Sequence, residues 1–497
     1  MTKEQALTLL SQKREAMRAL DMAQSLMHWD AATLGVTEKS LAARGEATGW
    51  LGGETFRRFI APDTLEAIET LESVSDGLTE REQAMTRNLG RQYRKAKAVP
   101  PEEMQKFESL RAQAQPVWEV AREANDFEKV QPYYEKMFDF MRRLCGWYGY
   151  QKHPYDALLD DYEKGANVET LDAFFALLRE KITPLVKDIG KSGVKPREIK
   201  GQFPAAKQRE LTPWLSAFMG YDLSRGKVGE VEHPFCMTIN RNDVRITTKY
   251  HENDLTASLF SVIHEAGHGL YEQNMDEALE NYSLADAASM GMHESQSRLF
   301  ENMIGRSRPF AEILLPKLRE HFDGFEDWDG ETLYRAVNIA RPSLIRTESD
   351  ELTYCLHIIV RYELEKALLT GTAKVSDLPG LWADKYEELL GIRPPDVARG
   401  VLQDVHWSAG LVGYFPSYAV GNAYAAQIMH TMKKTVDVDA AVSRADLTPV
   451  TGWLREHIHR HGEVHEPATL IRRVTGESFN PEYYAEYLYS KFTDLYQ

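Results

Sequence analysis

Apolar residues recur at every third or fourth position over most of this chain, the spacing that gives an α-helix one core-facing side. From Thr2 to about Val130 the pattern predicts helix after helix. Leu9, Ala16, Leu20 and Ala23 mark the inner face of the first, widened by Leu10 and Met17, and Met27-His28-Trp29-Asp30 interrupts the run. Pro100 and Pro101 predict the entrance of a long helix reaching about Asn125, because proline suits a first helical turn. Further helices are expected over Gln131–Lys152, Asn167–Ile189 and Ala205–Met219, separated by a His153-Pro154-Tyr155-Asp156 break and a polar connector over Lys191–Gly201. Tyr133, Tyr134, Phe138, Phe140 and Trp147 form an aromatic stripe that reads as core.

The period changes once. Phe235–Ile239 and Asp243–Tyr250 predict two strands around an Asn240-Arg241-Asn242-Asp243 turn, with Val244 and Ile246 alternating with Arg245 and Thr247. This single β signal directly precedes a helix expected from about Leu255 to Gln273. Asn253 and Asp254 offer its N-cap, and Leu259, Phe260, Ile263 and Leu270 face a core. A hairpin edge there suits an extended peptide, which binds through main-chain hydrogen bonds; a structural ribbon is the alternative. Downstream, helices are expected over Leu284–Ile304, Phe310–Phe322, Glu331–Ala340, Glu348–Leu369 and Val375–Leu390, then a loop-rich Gly391–Trp407, then helices from about Pro416 to the end. The expected fold is mainly α, a large helical body with a small β hairpin beside one central helix. No repeat or clean linker divides the chain. Residues 1–497 are therefore expected to form one domain, with 1–230 a mostly helical N-terminal part and 231–497 the part that carries the chemistry.

Composition narrows the partners. A formal net charge of −16 argues against nucleic acid and anionic membranes, and 43% hydrophobic residues are ordinary for a soluble protein with a sizeable core. Three scattered cysteines, Cys145, Cys236 and Cys355, offer no disulfide framework and no Cys-based zinc site, so a reducing cytoplasm is the expected setting. The N-terminus lacks a signal-peptide pattern, and no apolar run approaches the roughly 18 residues of a membrane span.

The chemistry centres on His264-Glu265-Ala266-Gly267-His268. Two histidines four apart lie one turn above each other on a helix, so both imidazoles reach one metal ion. Glu265 sits on the flank of that face as a candidate general base. A catalytic metal needs a third protein ligand, a carboxylate or histidine from a following helix. Glu294, in His293-Glu294-Ser295-Gln296, is the best candidate, with a surface glutamate as the alternative reading.

These motifs, in this order, resemble the carboxypeptidase Taq family: His233-Pro234-Phe235, Asp243-x-Arg245-x-Thr247, His264-Glu265-x-x-His268, His293-Glu294-Ser295-Gln296, Ile345-Arg346-x-x-Ser349-Asp350 and Gly400-x-x-Gln403-Asp404-x-His406-Trp407. The resemblance implies a metallocarboxypeptidase with one zinc per chain, for which cobalt can substitute. It implies release of single residues from the free C-termini of peptides with broad specificity, and poor action on a final proline. It also implies a homodimer and a neurolysin-like helical body split by a deep groove, with 1–230 forming one wall. On that reading His264, His268 and Glu294 bind the metal and Glu265 is the base. His406 and Tyr418 resemble the His and Tyr donors that flank the zinc in related helical peptidases, with Tyr414 the rival tyrosine. Arg346, expected just before a helix that Thr347 caps, with its side chain projecting into the groove, is the first choice for the substrate carboxylate. Arg245 is the second, unless it pairs with Asp243. Asp404 is expected to orient a ligand or His406.

Three other readings compete. An endopeptidase or dipeptidase would use the same metal chemistry. A di-iron helical protein would pair Glu265-x-x-His268 with Glu456-x-x-His459, and a silent peptide-binding scaffold would have no use for Glu265. The run His457, His459, His461 and His465 reads as a solvated face rather than a second metal site.

Overall fold

In the computed structural model, which describes all 497 residues, helices dominate and the sheet is small. One continuous core of 106 buried residues runs from Val99 to Tyr496 and joins the N-terminal and C-terminal helices. The first two helices, Lys3–Leu34 and Leu41–Phe59, stand outside it. Only Ala6 and Leu10 of the first are buried, and none of the second. The expected inner face Leu9, Ala16, Leu20 and Ala23 is therefore half-buried, because a two-helix hairpin has too little neighbouring mass to enclose it. The end of the first helix instead docks on the sheet. Trp29 and His28 set their rings 6.0 and 5.9 Å from Phe235, edge to face.

The sheet has three strands: β1 (Gly226–Glu230), β2 (Cys236–Asn240) and β3 (Asp243–Thr248), in the order β1-β3-β2. β2 and β3 are the expected antiparallel hairpin, while β1 pairs parallel to β3. β1 escapes sequence reading because Gly-Lys-Val-Gly-Glu carries one apolar residue and no alternation. Its glycines are demanded by contact: a Cβ on Gly226 would lie 2.2 Å from the Val244 carbonyl, and one on Gly229 would lie 2.9 Å from Trp29.

The helix after the sheet runs Leu255–Asn274, with Asp254 accepting from the Thr256 and Ala257 N–H groups as its N-cap. The expected Leu284–Ile304 helix is shorter at its start and changes character at its end. It begins at Met290, capped by Ser289, and after Arg298 continues as a π-helical turn over Leu299–Gly305. Residues just before it are held elsewhere, with the Leu284 carbonyl accepting from Glu463 N–H at 3.0 Å. The expected Glu348–Leu369 helix starts later, at Tyr354, after a 3₁₀ turn over Arg346–Glu348. Thr347 caps nothing. Asp350 instead ties down the turn before the helix, accepting from Thr353 N–H at 3.0 Å and from Arg341 N–H at 3.0 Å. No helix is long and apolar enough to cross a membrane.

Candidate metal centre and its surroundings

His264 and His268 leave the middle of the Leu255–Asn274 helix one turn apart, and Glu294 leaves the Met290–Arg298 helix opposite them. The two helices touch at a residue inside the motif. A Cβ on Gly267 would meet Ser297 Cα at 2.7 Å and the Gln296 carbonyl at 2.8 Å, so only glycine permits this approach. A second glycine works from the other side. Gly421, on the Phe415–Met432 helix, leaves room for the Glu294 Cβ and Cγ, which an added Cβ would meet at 2.7 Å.

Glu294 Oε2 consequently lies 3.3 Å from His268 Nε2 and 3.6 Å from His264 Nε2, and the three ligand atoms all fall within 4.8 Å of one another. Two atoms bound at about 2.1 Å to one tetrahedral centre are roughly 3.4 Å apart. The donor set, two imidazole nitrogens and one carboxylate oxygen, fits a divalent ion such as zinc. Electrostatics favour ligation at two of the three groups; at His264, against burial, the Glu294 and Glu301 carboxylates raise the ring above its ordinary value. Burial would raise the Glu294 carboxyl, but Arg298, with His264 and His268, holds it well below the usual carboxylate range. Burial and the neighbouring His293 lower His268 to about 3, so its ring is neutral with one nitrogen lone pair available.

Two residues given no role in the sequence reading complete the support. Glu301, on the π-helical turn, accepts from His264 Nδ1 at 2.9 Å, which leaves Nε2 of that ring free to ligate. Arg298 donates from Nε to Glu294 Oε1 at 2.7 Å and from Nη1 to Glu301 Oε2 at 3.1 Å. Their spacing from Glu294 (four and seven residues) is a one-face helical pattern, and that is the signal that could have found them. Replacing Glu301 with Ala, which removes the acceptor for His264 Nδ1, should weaken metal binding roughly 10–100-fold, measured by competition with a chelator. Unchanged affinity would show that His264 is held by packing alone.

Glu265 is buried, with Oε2 free of any protein partner. Burial pushes its carboxyl up to about 7, against the partial opposition of His264.

His406, Tyr414 and Tyr418 form one aromatic group. His406 Nε2 lies 3.2 Å from the Tyr418 hydroxyl, and the Tyr414 and Tyr418 rings are 5.0 Å apart. The Glu294 charge acts on both tyrosines, whose hydroxyls burial already raises, Tyr414 to about 12 and Tyr418 well above its ordinary value. Burial lowers His406 to about 3, so it is neutral, and its Nδ1 has no protein partner.

Both candidate arginines are already paired. Arg245 grips Asp243 with two bonds, of 2.8 and 2.6 Å, under the Trp29 ring. Arg346 is 6% exposed and donates to Asp404 Oδ1 from Nε and Nη2 at 3.0 and 2.9 Å, and from Nη1 to the Tyr354 hydroxyl at 3.2 Å. Asp404 is shared: Arg361 donates to its Oδ2 at 2.7 Å. Asp404 thus binds the two arginines, and no hydrogen bond links it to His406.

The histidine run is not one solvated face. His459 is fully buried, accepting at Nδ1 from Asn274 at 3.2 Å and donating from Nε2 to Gln296 at 2.8 Å, and His465 is buried as well. An isolated helical pattern could not show that this stretch breaks into a 3₁₀ turn at His459–His461 and tucks inward. Glu456 pairs with Arg460 at the surface, so the second half of a di-iron site does not form. His264, His268 and Glu294 are the single group of three or more such side chains spaced for a metal.

Two imidazoles and a carboxylate converging from adjacent helices, with a buried glutamate beside them, define a metal-dependent peptidase of the His-Glu-x-x-His type. The chain belongs to the carboxypeptidase Taq (M32) metallopeptidase family, whose model matches residues 9–492, and so to the metal-dependent carboxypeptidases. It is 43% identical over 478 residues to carboxypeptidase 1 of Bacillus subtilis, covering 95% of each chain. It is 36% identical to thermostable carboxypeptidase 1 of Thermus thermophilus over the whole of both. A solved Pyrococcus furiosus carboxypeptidase superposes with a TM-score of 0.95 at 34% identity, over 98% of this chain and 99% of that one.

Proposed function

We propose that the chain is a zinc carboxypeptidase that releases single residues from the free C-termini of peptides with broad specificity. The observation that carries this reading is the His264–His268–Glu294 cluster with an unpartnered, buried Glu265 beside it. His264, His268 and Glu294 would hold a divalent ion, which would supply Lewis-acid polarisation of the scissile carbonyl and a water that is nucleophilic near neutral pH. Glu265 takes the proton from the attacking water and returns it to the leaving amine. His406 and Tyr418 donate to the oxyanion that forms on the substrate carbonyl, a contribution of about 3 kcal/mol for a well-placed donor.

Position supports Arg346 over Arg245 for the substrate carboxylate. Arg245 pairs one to one with Asp243 on the sheet, whereas Arg346 shares Asp404 with Arg361. Arg346 lies under Tyr418, 5.0 Å from its ring, at the same end as the aromatic donors. Tyr414 lines that end with Tyr418 and contacts the substrate. A homodimer, a cytoplasmic setting and a single domain with the groove between residues 1–230 and 231–497 belong to the same reading.

Incubation with one peptide in free and amidated form tests it. Residues should leave one at a time from the free form, and amidation should slow release at least tenfold, since a charge-assisted pair of bonds is lost. Equal cleavage of both forms would make this an endopeptidase with the same metal chemistry.

A further inference from the structure

Glu365 takes no part in the chemistry above, yet its side chain is fully buried and accepts hydrogen bonds from three separate segments. It projects from the Tyr354–Thr370 helix. Trp407 Nε1 donates to Oε1 at 2.7 Å, Gly413 N–H donates to Oε2 at 2.9 Å, and the Tyr155 hydroxyl of the Pro154–Tyr162 helix also donates to Oε2. Burial raises its carboxyl to about 7, and the three donors oppose that rise.

Trp407 and Gly413 are the two ends of the loop that leads into the Phe415–Met432 helix. His406 immediately precedes the first end. Tyr414 follows the second, and Tyr418 stands one helical turn further on. The His406 ring is held from the same segment, stacked on Phe415 at 4.3 Å, and its one side-chain hydrogen-bond partner is Tyr418, so its place follows that of the loop and the helix start. Both anchors are themselves fixed. The Trp407 ring sits edge-on to Tyr134, Phe138 and Trp382, at 5.9, 5.6 and 6.0 Å. Gly413 has φ +97° and packs against the Leu158 backbone, where a Cβ would come within 3.1 Å.

We infer that Glu365 is a positioning residue: one buried carboxylate clamps both ends of the loop, so that His406 and Tyr418 meet the substrate as a fixed pair. This rests on the donor role given to those two residues above. Only a carboxylate serves, because it accepts at both oxygens. A glutamine turns an N–H₂ toward one of the converging donors, and that end of the loop must swing away. The metal ligands stand on other helices and keep their places.

The test compares Glu365→Gln, Trp407→Phe, His406→Ala and the pairwise combinations with His406→Ala, all as full-length metal-loaded enzyme acting on a peptide with a free C-terminus. For Glu365→Gln, kcat should fall about 10–100-fold, as expected for a displacement near 1 Å, with KM and metal affinity within about twofold of the parent. Trp407→Phe leaves an aromatic ring in the pocket and removes the one N–H donor, so its loss in kcat should be smaller. Because Glu365 acts through His406, the combined losses should fall well short of the product of the single ones. An unchanged kcat, a parallel loss of metal affinity, or fully multiplicative losses would each overturn the inference. Should Glu365→Gln not fold, Trp407→Phe with and without His406→Ala carries the same comparison. A His406→Ala enzyme with the parent's activity would instead strike the donor role itself, and the inference with it.

Discussion

Glu265→Gln should bind its metal as the parent does and hydrolyse peptides roughly 10²–10⁴ times more slowly, the range that a positioned acid-base group contributes. The substitution preserves shape, so the Leu255–Asn274 helix and both imidazoles stay in place. What it removes is a proton acceptor whose Oε2 is buried and free of any protein partner. Burial raises the Glu265 carboxyl to about 7, with His264 pulling the other way, so the group is poised where it can both take and release a proton near neutrality. A divalent ion beside it favours the ionised form and moves that value down. Activity of the parent should therefore rise with pH on its acidic side as Glu265 ionises, and the residual activity of Glu265→Gln should lack that limb. Metal content and a pH–rate profile check both parts. A variant retaining more than about a tenth of the activity would place the base elsewhere.

The metal helix was legible because its signals reinforce one another. The four-residue histidine spacing has meaning only on a helix, and Asp254 with the Leu259–Leu270 face independently predicted one. Glu301 and Arg298 stayed hidden for the opposite reason. In an acidic chain an isolated Glu or Arg reads as surface, and the four- and seven-residue spacing from Glu294 shows a shared face without showing that a π-helical turn carries Glu301 under His264. Arg346 shows a related gap. The sequence placed a helix start beside it and let the side chain project, whereas long-range pairing with Asp404, fifty-eight residues on, draws it inward. β1 was missed because its residues are chosen for clearance against Trp29 and Val244, a requirement that no strand propensity encodes.

Clearance also governs the second large effect, at a position the motif writes as x. Gly267→Ala adds one methyl group to the metal helix, yet that methyl would stand 2.7 Å from Ser297 Cα and 2.8 Å from the Gln296 carbonyl. Both are backbone atoms of the helix that carries Glu294, so no side-chain rotation relieves the clash and the two helices must separate. Overpacking of this kind costs about 1–3 kcal/mol of stability. The metal should suffer more. Protein ligands tolerate errors of about 0.2 Å, and a helix shift of several tenths of an ångström moves Glu294 away from both imidazoles. The affinity loss should exceed the roughly 10–100-fold expected from losing the Glu301 hydrogen bond, and carboxypeptidase activity at limiting metal should fall with it. Gly146→Ala supplies the contrast. Gly146 lies inside the Phe127–Tyr148 helix with open space where a Cβ would go, so alanine there should stabilise by about 0.4–1 kcal/mol and leave metal binding alone. Chelator competition and thermal unfolding on the two variants read both quantities. If Gly267→Ala kept the parent's metal affinity, helix proximity at Gly267 would not be what brings Glu294 within reach of His264 and His268.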